Sequence, residues 1–91
     1  MKFKINLTTN TDILNLVSKA TEIEDKITLT DNNGMVVNAK SLLGASYAKF
    51  EFVEIWLESE HDHYLAFKDF MAEEWYNGNL SKRIHFIWSF M

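Results

Sequence analysis

The sequence predicts an α+β fold, an open-faced sandwich in which a four-stranded antiparallel sheet carries three helices on one face, in the order β-α-β-β-α-β-α. Segments in which apolar and polar residues alternate indicate strands, and they are interleaved with segments of helical period. Because every candidate strand alternates, antiparallel pairing with one wet face is favoured. The 91 residues fit one domain, which we place at 1–76, followed by an apolar C-terminal extension at 77–91.

The first strand and the first helix follow from this periodicity. Alternation over residues 2–7 predicts a half-buried strand. A polar turn then leads into apolar residues at helical spacing, which predicts an amphipathic helix from about Asp12 to Ile23. Thr11 or Asp12 is expected to cap its N-terminus.

A β-hairpin is predicted next. Ile27 and Leu29 alternate with polar neighbours and form the inner face of the second strand. The turn is Asp31-Asn32-Asn33-Gly34, in which Asn and Gly tolerate a positive φ at little cost. The returning strand runs from Met35 to Ala39.

The junction after this hairpin predicts a short helix from Ser41 to about Tyr47. The Ser41 hydroxyl is expected to accept from free N–H groups of the first turn, and Leu42 and Leu43 add apolar side chains there. With Lys40 beside it, this positive helix end suits a phosphate. A plain strand-to-helix junction is the alternative.

The fourth strand is predicted from Glu51 to Glu58, with Val53, Ile55 and Leu57 on its inner face and Trp56 on its outer face. A third helix follows, with Asp62 as a possible cap and an apolar stripe that includes Phe70, Met71 and Trp75. Asn77-Gly78-Asn79 is expected to end it.

The C-terminal extension is too apolar to remain in water, and its period fits a strand or a helix. We expect it to pack on the open sheet face near Trp56 and Val36, or on a second subunit. A homodimer would form through four of its residues, Ile84, Phe86, Trp88 and Phe90.

Composition excludes several function classes. A net charge of −4 and a pI near 5.2 provide no basic field for nucleic acid, and the aromatic residues are better explained as core and interface residues than as a stacking platform for single strands. The absence of cysteine excludes disulfides, thiol catalysis and thiolate metal sites. No signal peptide or membrane span is evident, so we expect a cytoplasmic protein.

The segment Asn38-Ala39-Lys40-Ser41-Leu42-Leu43-Gly44 resembles the N-[AL]-K-S-[ILM]-[IMLF]-G segment of the histidine-containing phosphocarrier (HPr) family of the bacterial sugar phosphotransferase system. The resemblance extends from about Lys2 to Met71 and includes the order of the elements. It implies an HPr-like open-faced sandwich.

The resemblance also implies which chemistry is missing. In the family, a histidine in an H-x-R-P motif caps the first helix and carries phosphate as a phosphoramidate. The matching loop here, Thr9-Asn10-Thr11-Asp12, has no His, Arg or Pro. A threonine hydroxyl would form a stable ester, and Asp12 would repel phosphate. We therefore predict no phosphocarrier reaction, no enzyme activity and no cofactor.

In many family members from Gram-positive bacteria, the serine that corresponds to Ser41 is phosphorylated by a dedicated kinase, and the product binds transcription regulators. The resemblance thus implies Ser41 as a regulatory site, with Lys40, Leu42, Leu43 and Gly44 as the partner-binding surface. The partner would be a phosphotransferase-system component, a kinase or a transcription regulator. The alternatives are an assembly module that dimerises through its tail, or a phosphocarrier with atypical chemistry.

One run is rich in possible metal ligands. Glu58-Ser59-Glu60-His61-Asp62-His63 places two imidazoles two residues apart among carboxylates, a pattern that binds zinc or nickel weakly. Such runs are more often solvated helix starts, here with Asp62 as the cap. No metal site is therefore assigned.

Overall fold

The structure, a computed structural model, describes residues 1–72. The predicted end of the third helix and the predicted contacts of the 77–91 extension lie outside these residues. The elements are β1 (Lys2–Ile5), α1 (Asn10–Thr21), β2 (Ile27–Thr30), β3 (Val36–Asn38), α2 (Leu42–Glu51), β4 (Ile55–Ser59) and α3 (Tyr64–Phe67), with a 3-10 turn at Lys68–Phe70.

The predicted α+β architecture is confirmed for these residues. The four strands form one open sheet in the order β1-β4-β2-β3, and every pair of neighbours is antiparallel. The central strand β4 places Leu57 opposite Phe3 of β1 and Leu29 of β2. Asp31 to Gly34 forms the predicted turn, and Gly34 adopts a φ of 93°, which glycine reaches without a steric penalty.

A single core lies between the sheet and the helices. Leu29 and Leu57 of the sheet, Leu16 of α1 and Phe67 of α3 are each 0% exposed. Burial of each such side chain contributes about 1.5–3 kcal/mol to the free energy of unfolding. The other sheet face is more polar, and Trp56 lies on it with its Nε1–H donating to a carboxylate.

The boundary between α2 and β4 differs from the prediction. The helix continues to Glu51, and the strand begins only at Ile55. Val53, which was predicted to face the core, is 88% exposed. The reason is that Ala45, Ala48 and Phe52 are buried at helical spacing. The end of α2 therefore packs on the core where the alternating pattern predicted a strand.

The third helix is also shorter than predicted. After α3 and the 3-10 turn, Met71 forms a β-bridge with Ile5 instead of continuing a helix. The Asn6 N–H donates to the Phe70 carbonyl at 2.8 Å, and the Ala72 N–H donates to the Lys4 carbonyl at 3.0 Å. Pairing of the outer edge of β1 therefore replaces helical hydrogen bonds at this point.

No helix within residues 1–72 has the length and apolar character needed to cross a membrane.

Candidate functional site

Ser41 is the N-cap of α2, as predicted. Its backbone is extended, with a φ of −101° and a ψ of 123°, and its hydroxyl oxygen accepts from the Gly44 N–H at 3.0 Å. The Ser41 side chain is half-buried, and the first turn of α2 contains no acidic residue. The partial positive charge of this helix end is therefore not offset by any negatively charged side chain in the first turn, and the only side-chain cap is a neutral hydroxyl.

Lys40 is directed toward the end of α1. Its ammonium group donates to the carbonyl oxygen of Ile23, and its backbone N–H donates to the side-chain oxygen of Asn38 at 2.9 Å. Lys40 is next to Ser41 in the chain, but its side chain ties the start of α2 to the segment that follows α1.

Gly44 permits a close approach between α2 and the end of β3. A Cβ atom at this position would lie 2.9 Å from the carbonyl oxygen of Asn38 and 3.4 Å from the Cβ of Val37. Real Cβ atoms do not approach other atoms so closely, so the residue allows the helix to start directly on the strand. Gly44 thus faces β3 and positions the helix turn that carries the predicted partner-binding residues Leu42 and Leu43.

Leu42 and Leu43 are exposed, with 51% and 82% of their surface accessible. They belong to a larger patch that sequence analysis did not identify. We call it the α2 apolar surface, and its members are Leu42, Leu43, Tyr47, Phe50 and Val53.

The α2 apolar surface arises because the helix carries small residues inside and large ones outside. Ala45 and Ala48 are 0% exposed and pack on the core, whereas Phe50 is 70% exposed. The spacing of Leu43, Tyr47 and Phe50, at i, i+4 and i+7, could have identified this outer stripe in the sequence. The predicted helix ends at about Tyr47, whereas α2 continues to Glu51 and so includes Phe50.

Two ring contacts define how the aromatic members of this surface lie. Tyr47 contacts the buried ring of Phe52 edge-on, with ring centroids 6.0 Å apart. The Lys49 ammonium lies 4.5 Å from the centroid of the Phe50 ring. A cation–π contact of this kind places a positive charge at the border of the apolar patch.

The start of α1 is closed by its own side chains. Thr9, rather than Thr11 or Asp12, is the N-cap, and its hydroxyl accepts from the Asp12 N–H at 3.1 Å. Asp12 Oδ2 in turn accepts from the Thr8 hydroxyl at 2.7 Å, the Thr8 N–H at 3.0 Å and the Thr9 N–H at 3.1 Å. The hydrogen bond from the Thr8 hydroxyl is the largest cause that lowers the pKa of Asp12. The donors of this loop are thus directed at an ionised carboxylate.

Two histidines lie beyond the opposite end of α1. His61 Nδ1 is 3.1 Å and His63 Nε2 is 3.0 Å from Asp25 Oδ2, in the loop after α1. A helix of 12 residues spans roughly 18 Å, so these imidazoles are far from the start of α1 at Thr9. The backbone N–H of His61 is the largest cause that holds the pKa of Asp25 well below its ordinary value.

His61 and His63 are recognisable in the sequence as possible metal ligands, whereas Asp25 lies 36 residues before His61 and carries no local signal. The predicted cap Asp62 accepts from the Tyr64 N–H at 2.9 Å, while His63 stands at the N-cap position of α3.

Comparison with protein-family models gave no match for this chain, and comparison with curated protein sequences gave none.

Proposed function

We propose that this chain is an HPr-like, non-catalytic protein-binding module that docks a protein partner through the α2 apolar surface, under the control of phosphorylation at Ser41. The observation that carries the proposal is the exposure of large apolar side chains on α2, with Leu43 at 82% and Phe50 at 70%. The element order and the Lys40-Ser41-Leu42-Leu43-Gly44 junction support the HPr-like assignment.

The apolar residues are concentrated on one element. Single exposed apolar residues are ordinary, but a contiguous group on one surface is typical of interaction sites. The core does not need these side chains, because the inner face of α2 is built from Ala45 and Ala48. Removal of the outer side chains from water upon binding would supply the driving force for docking.

Ser41 is suited to regulate this surface because it immediately precedes Leu42 and Leu43 in the chain. A phosphate at this residue adds about −1.5 to −2 charges at the positive end of α2, and its oxygens can accept from the free N–H groups of the first turn. No carboxylate in that turn opposes it. The partner therefore needs an apolar centre and a basic group at its border.

The loop before α1 favours binding over phosphoryl transfer. The Asp12 carboxylate accepts hydrogen bonds from the N–H groups of Thr8 and Thr9, and its negative charge repels a phosphoryl group. His61 and His63 lie beyond the other end of α1. Within residues 1–72, no imidazole occupies the place where a phosphocarrier histidine would begin the helix.

The first experiment tests Ser41. The full chain is incubated with ATP and the kinase that phosphorylates the regulatory serine of the HPr family. We expect one phosphate, located on Ser41 by mass spectrometry of peptides and absent in Ser41→Ala. Ser46→Ala, which removes the serine within α2, is the matched control and should still be phosphorylated. Failure of the wild-type chain to accept phosphate would contradict the regulatory part of the proposal.

The second experiment tests the α2 apolar surface. Binding of the phosphorylated chain to a purified transcription regulator that recognises phosphorylated HPr is measured by calorimetry. Leu43→Asp and Phe50→Asp should each weaken binding at least about tenfold, because a charge replaces a desolvated contact. Leu14→Asp is the control, since Leu14 is 56% exposed on α1. Equal losses in all three variants, or no binding by wild type, would refute this docking surface.

A further inference from the structure

A second group of polar side chains lies beyond the C-terminal end of α1, separate from the α2 apolar surface. Asp25 comes from the loop between α1 and β2, whereas Glu60, His61 and His63 follow β4. The run of residues 58–63 by itself fits a solvated helix start. Asp25 changes this interpretation because it brings a carboxylate from a distant part of the chain to both imidazoles.

We propose that Asp25, His61 and His63, with Glu60 beside them, bind a divalent transition-metal ion of the zinc class. Asp25 Oδ2 lies 3.1 Å from His61 Nδ1 and 3.0 Å from His63 Nε2. One ligand atom from each of Asp25, Glu60 and His61 lies within 4.8 Å of the others. These three residues offer one imidazole and two carboxylates around a common point, and His63 adjoins them through its contact with Asp25 Oδ2. Imidazole and carboxylate are both ligand types that zinc binds.

The spacing of the donors suits a small ion. In a tetrahedral zinc site, two ligands at their normal metal distances lie roughly 3.4 Å apart. The two nitrogen–oxygen distances around Asp25 Oδ2 are 3.1 and 3.0 Å, so each imidazole already lies near that distance from Asp25. The donor atoms of Asp25, Glu60 and His61 lie within 4.8 Å of one another, so the donors must draw closer together to surround the ion. The imidazoles also distinguish the site from a calcium site, because calcium takes oxygen ligands.

The Asp25 carboxylate is already oriented. Its Oδ1 accepts from the Lys26 N–H at 2.9 Å, and its Oδ2 accepts from the His61 N–H at 3.0 Å. The Asp25 side chain is 13% exposed and that of His63 is 23% exposed, so a bound ion would be partly shielded from water. A ligand held by backbone hydrogen bonds loses little conformational freedom when the metal binds.

An open cavity borders the two carboxylates of this cluster, Asp25 and Glu60. Its volume is about 390 Å³, and its lining includes Asp25, Glu58 and Glu60. The three carboxylates outnumber the single lysine of the lining, Lys26, so the cavity attracts cations. Water can complete the coordination of the ion from this side.

A metal-free explanation exists, in which both imidazoles donate ring N–H groups to Asp25. The two explanations require opposite tautomers. In the metal-free cluster, His61 carries its proton on Nδ1 and His63 on Nε2, whereas metal binding leaves the remaining proton on His61 Nε2 and on His63 Nδ1. The ring nitrogens therefore report directly which arrangement is present.

The experiment uses the full, tag-free chain and zinc chloride alone. Calorimetry should give one ion per chain, with binding at least about tenfold weaker in His61→Ala and in Asp25→Asn. Asp62→Asn is the matched control from the same loop, and His85→Gln controls for the remaining histidine; both should bind as wild type does. Calcium chloride should produce no comparable binding. Nitrogen-detected NMR should show zinc at His61 Nδ1 and His63 Nε2.

Because the His61 side chain is 70% exposed, His61→Ala should leave the fold unchanged. Circular dichroism checks this. The proposal is overturned if wild type binds no zinc, if His61→Ala and Asp25→Asn bind as tightly as wild type, or if zinc shifts the opposite ring nitrogens. Loss of binding in His85→Gln alone would also overturn it.

Discussion

The N-termini of α1 and α2 both carry unpaired backbone N–H groups and a partial positive charge, but different side chains cap them. At α1, Thr9 and Asp12 form a capping box, and the Asp12 carboxylate takes three hydrogen bonds from the preceding loop. At α2, the Ser41 hydroxyl accepts one hydrogen bond from the Gly44 N–H, and no acidic residue follows in the first turn. One helix end is closed by an ionised group, and the other is held by a neutral group.

The difference shows where an anion is tolerated. A phosphate at the start of α1 would meet the Asp12 carboxylate and find the N–H groups of Thr8 and Thr9 already used. A phosphate on Ser41 would meet only the partial positive charge of α2. The proposed loss of phosphoryl transfer and the proposed regulation at Ser41 thus depend on the same contrast.

The largest expected effect comes from the backbone contact that positions α2. Replacement of Gly by Ala inside a helix normally stabilises it, but Gly44→Ala should lower the free energy of unfolding by about 1–3 kcal/mol, because its Cβ would lie 2.9 Å from the Asn38 carbonyl oxygen. Urea denaturation monitored by circular dichroism measures this change. Ser46→Ala, in the same helix, should be neutral or slightly stabilising. Stabilisation by Gly44→Ala would show that this contact does not fix the start of α2.

The two N-caps should contribute different amounts to the free energy of unfolding. Asp12→Ala leaves the Thr8 hydroxyl and two N–H groups without their acceptor, so we expect a loss of about 1–2 kcal/mol in the free energy of unfolding. Ser41→Ala removes one cap bond and should cost about 1 kcal/mol or less. Asn15→Ala, at an exposed position within α1, is the control and should change stability little. A larger loss in Ser41→Ala than in Asp12→Ala would reverse the comparison.

The features that sequence predicted correctly are encoded by neighbouring residues. Ser41 precedes apolar helical residues, and Asp31 to Gly34 contains the residue types of a hairpin turn, so both were identified from short-range chemistry. The cap of α1 was misplaced by two or three residues because Thr9, Thr11 and Asp12 are all good cap residues. Only the capping box, in which Asp12 bonds back to the Thr9 N–H, selects Thr9.

The outer stripe of α2 has a local period that could have identified it, but three other missed features depend on distant residues. Met71 leaves its expected helix because the edge of β1 offers hydrogen bonds to the chain there. Asp25 meets His61 only after β2 and β4 have paired. Val53 fits both an alternating strand and the end of α2, and the burial of Phe52 decides between them. No local pattern contains this information.

A carboxylate placed at each N-cap gives a sharper comparison. Ser41→Asp keeps a cap acceptor and adds charge at a helix end that has none, so it should raise the free energy of unfolding by about 0.3–1 kcal/mol. Thr9→Asp should give no gain, because the new charge would lie beside Asp12. Thermal denaturation at low salt measures both, and added salt should reduce the gain at Ser41. Equal gains in the two variants would indicate that Asp12 does not neutralise the start of α1.

The smallest expected effect is the part of the pH dependence of stability that comes from Asp12 at the start of α1. The hydrogen bonds that Asp12 accepts lower its pKa in the folded state below the ordinary value of 3.8. A lowered pKa means that the ionised carboxylate stabilises the fold above pH 3.8, and that this stabilisation is lost as the pH falls through the folded-state pKa. Because Asp12 is near the surface, water screens the effect, and we expect less than about 1 kcal/mol.

The measurement is the difference in stability between wild type and Asp12→Asn from pH 6 to pH 2. Asp25, whose pKa is also lowered, is present in both proteins, so its contribution cancels in the difference. The difference should favour wild type at neutral pH and shrink below the ordinary carboxyl range, whereas the difference between wild type and Ser41→Ala should stay constant because a hydroxyl does not titrate. If the Asp12→Asn difference is equally flat, then the Asp12 charge contributes nothing to the start of α1, and the two helix ends differ only in their number of hydrogen bonds.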